Sequence, residues 1–145
     1  MGKPKVMVAV RDAVSVEGLV TLACQLANGM DAELTALHVV EVPMLTPLEA
    51  VEETIDAPGK EVLAHAQRVA EKWSRHLSTN FLRAREAGEA IAGEAKEQGV
   101  DLLVIGHHKP HPHALGETLL GSTVQYVAHH APCRVIVQIP PPSHG

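Results

Sequence analysis

The sequence predicts an open α/β sandwich, with five parallel strands in one sheet and helices on both of its faces. Three observations predict it. Short apolar runs alternate along the chain with longer segments of helical period. The runs are apolar at nearly every position, as strands covered on both faces must be. Each run is separated from the next by enough residues for the helical crossover that parallel neighbours need, and such crossovers are nearly always right-handed. The result is a doubly wound, Rossmann-like sheet.

Lys5 to Val10 is the first β-branched run, ended by Arg11-Asp12. Leu19, Leu22, Ala23, Leu26 and Met30 then fall at i, i+3, i+4, i+7 and i+11, a helical stripe with Ser15 as its N-cap and Asn28-Gly29 as its end. Glu33 to Val42 reads as the second strand. Pro43 and Pro47 break the backbone ladder and open an acidic connection to about Lys60, with a helical turn only around Leu48 to Thr54. A second clear helix follows from Glu61 to Leu77, with Val62, Ala66, Val69, Trp73 and Leu77 along one stripe. Phe81 to Glu86 is a short third strand, and Glu89 to Gln98 a helix stopped by Gly99. Val100 to Ile105 is the fourth strand, ended by Gly106. After a His- and Pro-rich loop, Leu119 to His130 is helical, Pro132 ends it, and Arg134 to Ile139 is the last strand.

Composition bounds the function. The chain has 145 residues, 46% hydrophobic and only 2% aromatic, so Ala, Val, Leu and Ile must build its core. That length suits one domain over residues 1–140, with a flexible tail at 141–145. A net charge of −5 removes the electrostatic footprint of a nucleic-acid binder, and three aromatic residues cannot make a base-stacking platform. No apolar run approaches the roughly 20 residues that span a bilayer, and the first residues lead straight into a strand without a signal-peptide pattern. Cys24 and Cys133 lack a CxxC partner, which argues against a disulfide framework or Cys-rich zinc site. A cytoplasmic domain is expected.

In such a sheet, ligands bind beyond the carboxyl ends of the strands where strand order reverses. The informative places therefore follow Val10, Val40 and Ile105. Gly106 would let the backbone turn sharply and approach a ligand without a Cβ in the way. Gly121-Ser122-Thr123, at the start of the last helix, offers free N–H groups, a helix dipole and two hydroxyls to a phosphate, and Lys109 adds a charge. The competing reading makes the glycines turn residues and the hydroxyls caps. Walker A and GxGxxG patterns are both missing.

The segments "LHVVE" (37–41), "DLLVIGHH" (101–108), "LLGST" (119–123) and "APCRVIV" (131–137), in this order, resemble the universal stress protein family along the whole chain. The resemblance implies a small α/β sandwich of the adenine nucleotide alpha hydrolase type that dimerises by pairing its last strand, here residues 134–139, with its copy. In the ATP-binding branch a G-x2-G-x9-G-[ST] loop holds the nucleotide. Carried over by position, Gly106 matches the first glycine, Gly121 the last and Ser122 the hydroxyl after it. His108 takes a polar position inside the motif, Thr123 the next phosphate-facing one, and Val39 lines the adenine pocket with Val8. Two positions depart from the pattern. Lys109 replaces the second glycine, and eleven residues separate it from Gly121. Arg11 stands where the family has an acid after the first strand, with Asp12 one place later. The expected ligand is ATP or another adenine nucleotide, with Mg2+, and Asp12 takes the adenine or ribose contact.

Other residues carry competing readings. Among ten histidines, His107, His108, His111 and His113 share one loop, which fits either a divalent-metal site or a solvated, proline-stiffened loop. His38 reads as a core histidine bonded to backbone, His65 and His76 as surface residues, and both cysteines as interior. The acidic run from Glu49 to Asp56 reads as a solvated lid. No GxSxG elbow or nucleophile–base set is visible, so at most slow nucleotide hydrolysis is expected. The leading expectation is a dimeric, nucleotide-binding regulatory protein of the stress response. The second is a dimeric interaction module without nucleotide, similar to those attached to cation and amino-acid transporters and acting on such a partner in trans. The third is a metal-dependent role of the histidine loop.

Overall fold

The computed structural model describes residues 2–49, 53–107 and 121–139. In chain order they form β1 (Lys5–Ala9), α1 (Ala13–Met30), β2 (Glu33–Glu41), α2 (Glu53–Lys72), β3 (Ser78–Ala84), α3 (Ala87–Gln98), β4 (Leu102–Gly106), α4 (Ser122–His130) and β5 (Arg134–Gln138). The strands lie in the order β3-β2-β1-β4-β5, and every pairing is parallel. The expected five-stranded α/β sheet is the one observed.

Alternation along each strand divides the core into two layers. Val6, Val8, Leu34, Ala36, Leu102 and Val104 face one way, into a cluster completed by residues of α1 and α2. Met7, Ala9, Leu37, Leu103 and Ile105 face the other way, toward α3 and α4. Both faces of β1 and β4 are therefore covered, which is why their sequences are apolar at consecutive positions.

Several boundaries differ from expectation, each for a physical reason. The N-cap of α1 is Asp12, not Ser15: Asp12 Oδ1 accepts from Ser15 N at 3.1 Å, while Ser15 Oγ donates to the Asp12 carbonyl at 3.2 Å. The helix passes Asn28-Gly29 and closes at Asp31, held at φ 51 with Ala32 N on Ala27 O, a left-handed cap that Asp tolerates through its short polar side chain. The largest difference is α2, which begins at Glu53 and runs through Pro58. Tertiary contacts override the breaker. Asp56 is 2% exposed and pairs in a two-pronged bridge with Arg83 of β3, through Oδ1 to Nε at 3.1 Å and Oδ2 to Nη2. The Asp56 end of the expected solvated lid is thus buried. At Gly59 the helix lies so close to β2 that a Cβ would stand 2.4 Å from His38 Cδ2 and 2.9 Å from Phe81. At its other end α2 stops at Lys72, with Ser74 at φ 54 and Arg75 N on Ala70 O, leaving Trp73 and Leu77 outside the helix. The start of β3 at Ser78 and of α3 at Ala87 precede the apolar positions that suggested them, and β4 begins at Leu102. Leu119, Leu120 and the expected tail lie outside the described residues.

Candidate functional site

The connections leaving β1 and β4 diverge, β1 feeding α1 on one face of the sheet and β4 leading toward α4 on the other. Divergence at adjacent strands leaves a gap above their carboxyl ends, the switch point of a doubly wound sheet. A cleft of about 1250 Å³ lies there, between the ends of β1, β2 and β4, the starts of α1 and α4, and the first half of α2.

Three helix N-termini can be compared around this region, and each starts with N–H groups that lack an intrahelical acceptor. That of α1 is closed by the Asp12 carboxylate. That of α3 receives Glu41 from the end of β2, whose Oε2 accepts from Ala87 N at 3.2 Å. At α4 the N-cap is Gly121; it provides no side-chain cap, and the first turn has no acidic residue. Among the described residues, then, nothing takes up the partial positive charge of the α4 N-terminus.

Neither glycine in this wall is demanded by its backbone. Gly106 is the last residue of β4 rather than a sharp turn, paired with Gln138, and a Cβ there would meet Leu19 at an ordinary 3.5 Å. Gly121 has φ −71, a value open to any residue, and a Cβ on it would meet nothing within 4 Å. Their smallness keeps space at the cleft rather than permitting a strained conformation.

The cleft brings together most of the residues the sequence singled out. Asp12, Val39, Gly106, Gly121, Ser122 and Thr123 all line it. Val8 does not: it is fully buried on the α1–α2 face of the sheet, beneath the cleft and out of its reach. His108 and Lys109 lie outside the described residues. Arg11, the departure from the family pattern, also lines the cleft and is exposed, so its cation faces solvent at the mouth.

The α2 side of the cleft is rigidly backed. His38 is 7% exposed and its Nδ1 donates to the Val10 carbonyl at 2.9 Å, which fixes the proton on that nitrogen. This is the core role expected of it. Its ring stacks on Phe81, with centroids 6.0 Å apart, and the Arg83 guanidinium sits 5.5 Å from the Phe81 centroid. The hydrogen bonds from Arg83 hold the Asp56 carboxyl below the usual carboxylate range. The chain from Asp56 to Val10 thus ties α2, β3 and β2 to the end of β1.

Sequence reasoning placed His107 only within the histidine loop. In the structure it prolongs β4: its N–H donates to Gln138 O at 3.0 Å, and the residue is 7% exposed in the cleft wall. The signal was present in the strand period, since residues 103, 105 and 107 share a face. Among the described residues, no three of His, Cys, Asp or Glu converge to hold a metal ion.

A model of the Universal stress protein family matches residues 4–138. A universal stress protein of Methanocaldococcus jannaschii is 31% identical over 121 residues, covering 79% of this chain and 69% of its own. Among solved structures, the Archaeoglobus fulgidus universal stress protein in complex with dAMP superposes with a TM-score of 0.71 at 19% identity, over 94% of this chain and 97% of its own. A universal stress protein in complex with cAMP gives 0.70 at 21% identity, over 96% and 98% of the two chains.

Proposed function

The chain belongs to the universal stress protein family, and from that premise we propose that it binds an adenine nucleotide, ATP foremost, in the cleft above β1 and β4 and acts as a dimeric regulator in a stress response. One observation carries the reading: the start of α4 opens into that cleft through a glycine that neither the backbone nor the packing requires, with no side chain among the described residues closing it. An uncapped helix start beside two hydroxyls suits a phosphate. The dAMP and cAMP complexes of proteins with this fold support the choice of an adenine nucleotide.

In this reading the adenine packs against Val39 at the end of β2, and the phosphates meet the N–H groups and hydroxyls of Ser122 and Thr123. Asp12 keeps its cap on α1 and accepts from the ribose, since a carboxylate has lone pairs for several donors. Mg2+ enters on the phosphates rather than in a protein-held site, consistent with the lack of a converging ligand set among the described residues. The dimer forms along β5, which is an edge strand and precedes Ile139, an apolar residue 59% exposed.

Calorimetry of the folded chain with ATP, ADP, AMP and cyclic AMP tests the ligand. Saturable heat with at least one of them is expected; silence from all four removes the nucleotide. Light scattering tests the assembly, and a monomer at micromolar concentration would remove the dimer.

A further inference from the structure

His107 holds a buried nitrogen with nothing to bond. Its backbone N–H is committed to Gln138 O, which fixes the residue at the end of the β4–β5 ladder. Its ring belongs to the face of Leu103 and Ile105, the face that α4 covers. There Nε2 is out of contact with solvent and has no hydrogen-bond partner. Buried side-chain polar atoms are nearly always satisfied, so an orphan needs an explanation. The other such atom among the described residues, Arg75 Nε, lies at the opposite end of the sheet, in a guanidinium that already bonds the Ala32 carbonyl. His107 instead shares a cleft wall with Gly106 and with the uncapped start of α4.

We propose that His107 is the side-chain ligand of the phosphate group in this cleft, donating from Nε2–H to a phosphate oxygen held at the start of α4. The inference rests on the nucleotide reading and assigns to it a side chain at the first variable position after Gly106, which the carry-over by position left without a role. Because Nε2 has no hydrogen-bond partner to give up, an arriving phosphate gains a donor at the cost of apolar packing alone. A neutral donor paired with an anionic oxygen makes a charge-assisted bond, stronger than one between two neutral groups. His107 would thereby separate phosphorylated from unphosphorylated nucleosides.

The test uses the full chain, ADP and adenosine as probes, and the variants His107→Phe and His107→Gln. Phe keeps a ring of similar shape without a donor; Gln restores an N–H. Expected for His107→Phe is a loss of ADP affinity on the order of tenfold, unchanged adenosine affinity, and a melting temperature no lower than that of the parent. His107→Gln should recover most of the ADP affinity. ADP affinity within twofold of the parent, or a parallel loss for adenosine, overturns the role of His107 while leaving the nucleotide reading intact. A parent chain that binds neither probe removes that reading and this inference with it. If His107→Phe fails to fold, the imidazole 15N resonances of the parent decide. A shift of His107 Nε2 with ADP but not adenosine supports the bond, and no shift overturns it.

Discussion

The starts of α1 and α4 face the same cleft and are built in opposite ways. At α1 an aspartate turns its carboxylate back onto Ser15 N and closes the helix from within. At α4 a glycine stands in the same place, and no side chain among the described residues caps the first turn. The difference shows that a helix N-terminus is not in itself a ligand site: the dipole is equal in kind at both ends, and the cap decides whether it is spent on the fold or kept for binding. The first turn of α2 adds a third variant, in which Asp56 turns sideways to Arg83.

Exchanging the two kinds of helix start should have the largest effect. Gly121→Val is expected to lower nucleotide affinity roughly a hundredfold by placing a branched Cβ where phosphate must approach. Because that Cβ meets nothing within 4 Å, the fold should survive. Gly121→Asp sharpens the point. It should raise stability by a few tenths of a kcal/mol as a better cap, yet abolish binding by repelling the anion, as calorimetry and thermal melting read together would show. Unchanged affinity in either variant breaks the comparison.

Next in size is Gly59→Ala, away from both helix starts. A Cβ 2.4 Å from His38 must push α2 off β2, and urea unfolding should show a loss of about 1–3 kcal/mol. Asp12→Ala should then cost about 1 kcal/mol through the lost cap, with faster amide exchange in the first turn of α1 and weaker nucleotide binding through the lost ribose contact. If exchange rises equally in α4, the two starts are not independent.

The smallest effect is expected in acid. The folded value of Asp56 lies below its unperturbed value of 3.8, so its contribution is complete above that value and is lost as pH falls through the folded one. The stability gap between the parent and Asp56→Asn, measured by urea unfolding, should therefore be constant near neutrality and shrink below pH 3.8. A gap that persists at lower pH would mean the Arg83 bridge is not its source.

Much of this was legible in the residues. The apolar runs at β1 and β4 and the helical period of α1 depend on local sequence alone, and the structure keeps them, although the buried stripe of α1 runs through Val16, Leu19, Val20, Ala23, Cys24 and Ala27 and leaves Met30 exposed. The start of α2 was not legible, because Pro58-Gly59 reads locally as a break and only Arg83 and His38, distant in sequence, make a helix acceptable there. Gly106, Gly121, Ser122 and Thr123 stood out by their places after a strand end and at a helix start, before any family position was used, and the structure brings them to one cleft. Val8 was misplaced because family position says nothing about which face of a strand a side chain takes. His107 escaped notice because four histidines in one stretch resemble a solvated loop, although the first of them still continues the strand.

The central place of β1 also bears on how the chain is made. On the ribosome, β1 can pair with β2 once Glu41 has emerged, but its other edge has no neighbour until β4 arrives; Asp101, which caps that junction, bonds Lys5 across 96 positions. At translation rates of about 5–20 residues per second, that edge stays open for roughly 3–12 s. Throughout this interval the nascent polypeptide offers a bare strand flank to other chains, so its safe passage through synthesis depends on how quickly the later half follows the earlier one.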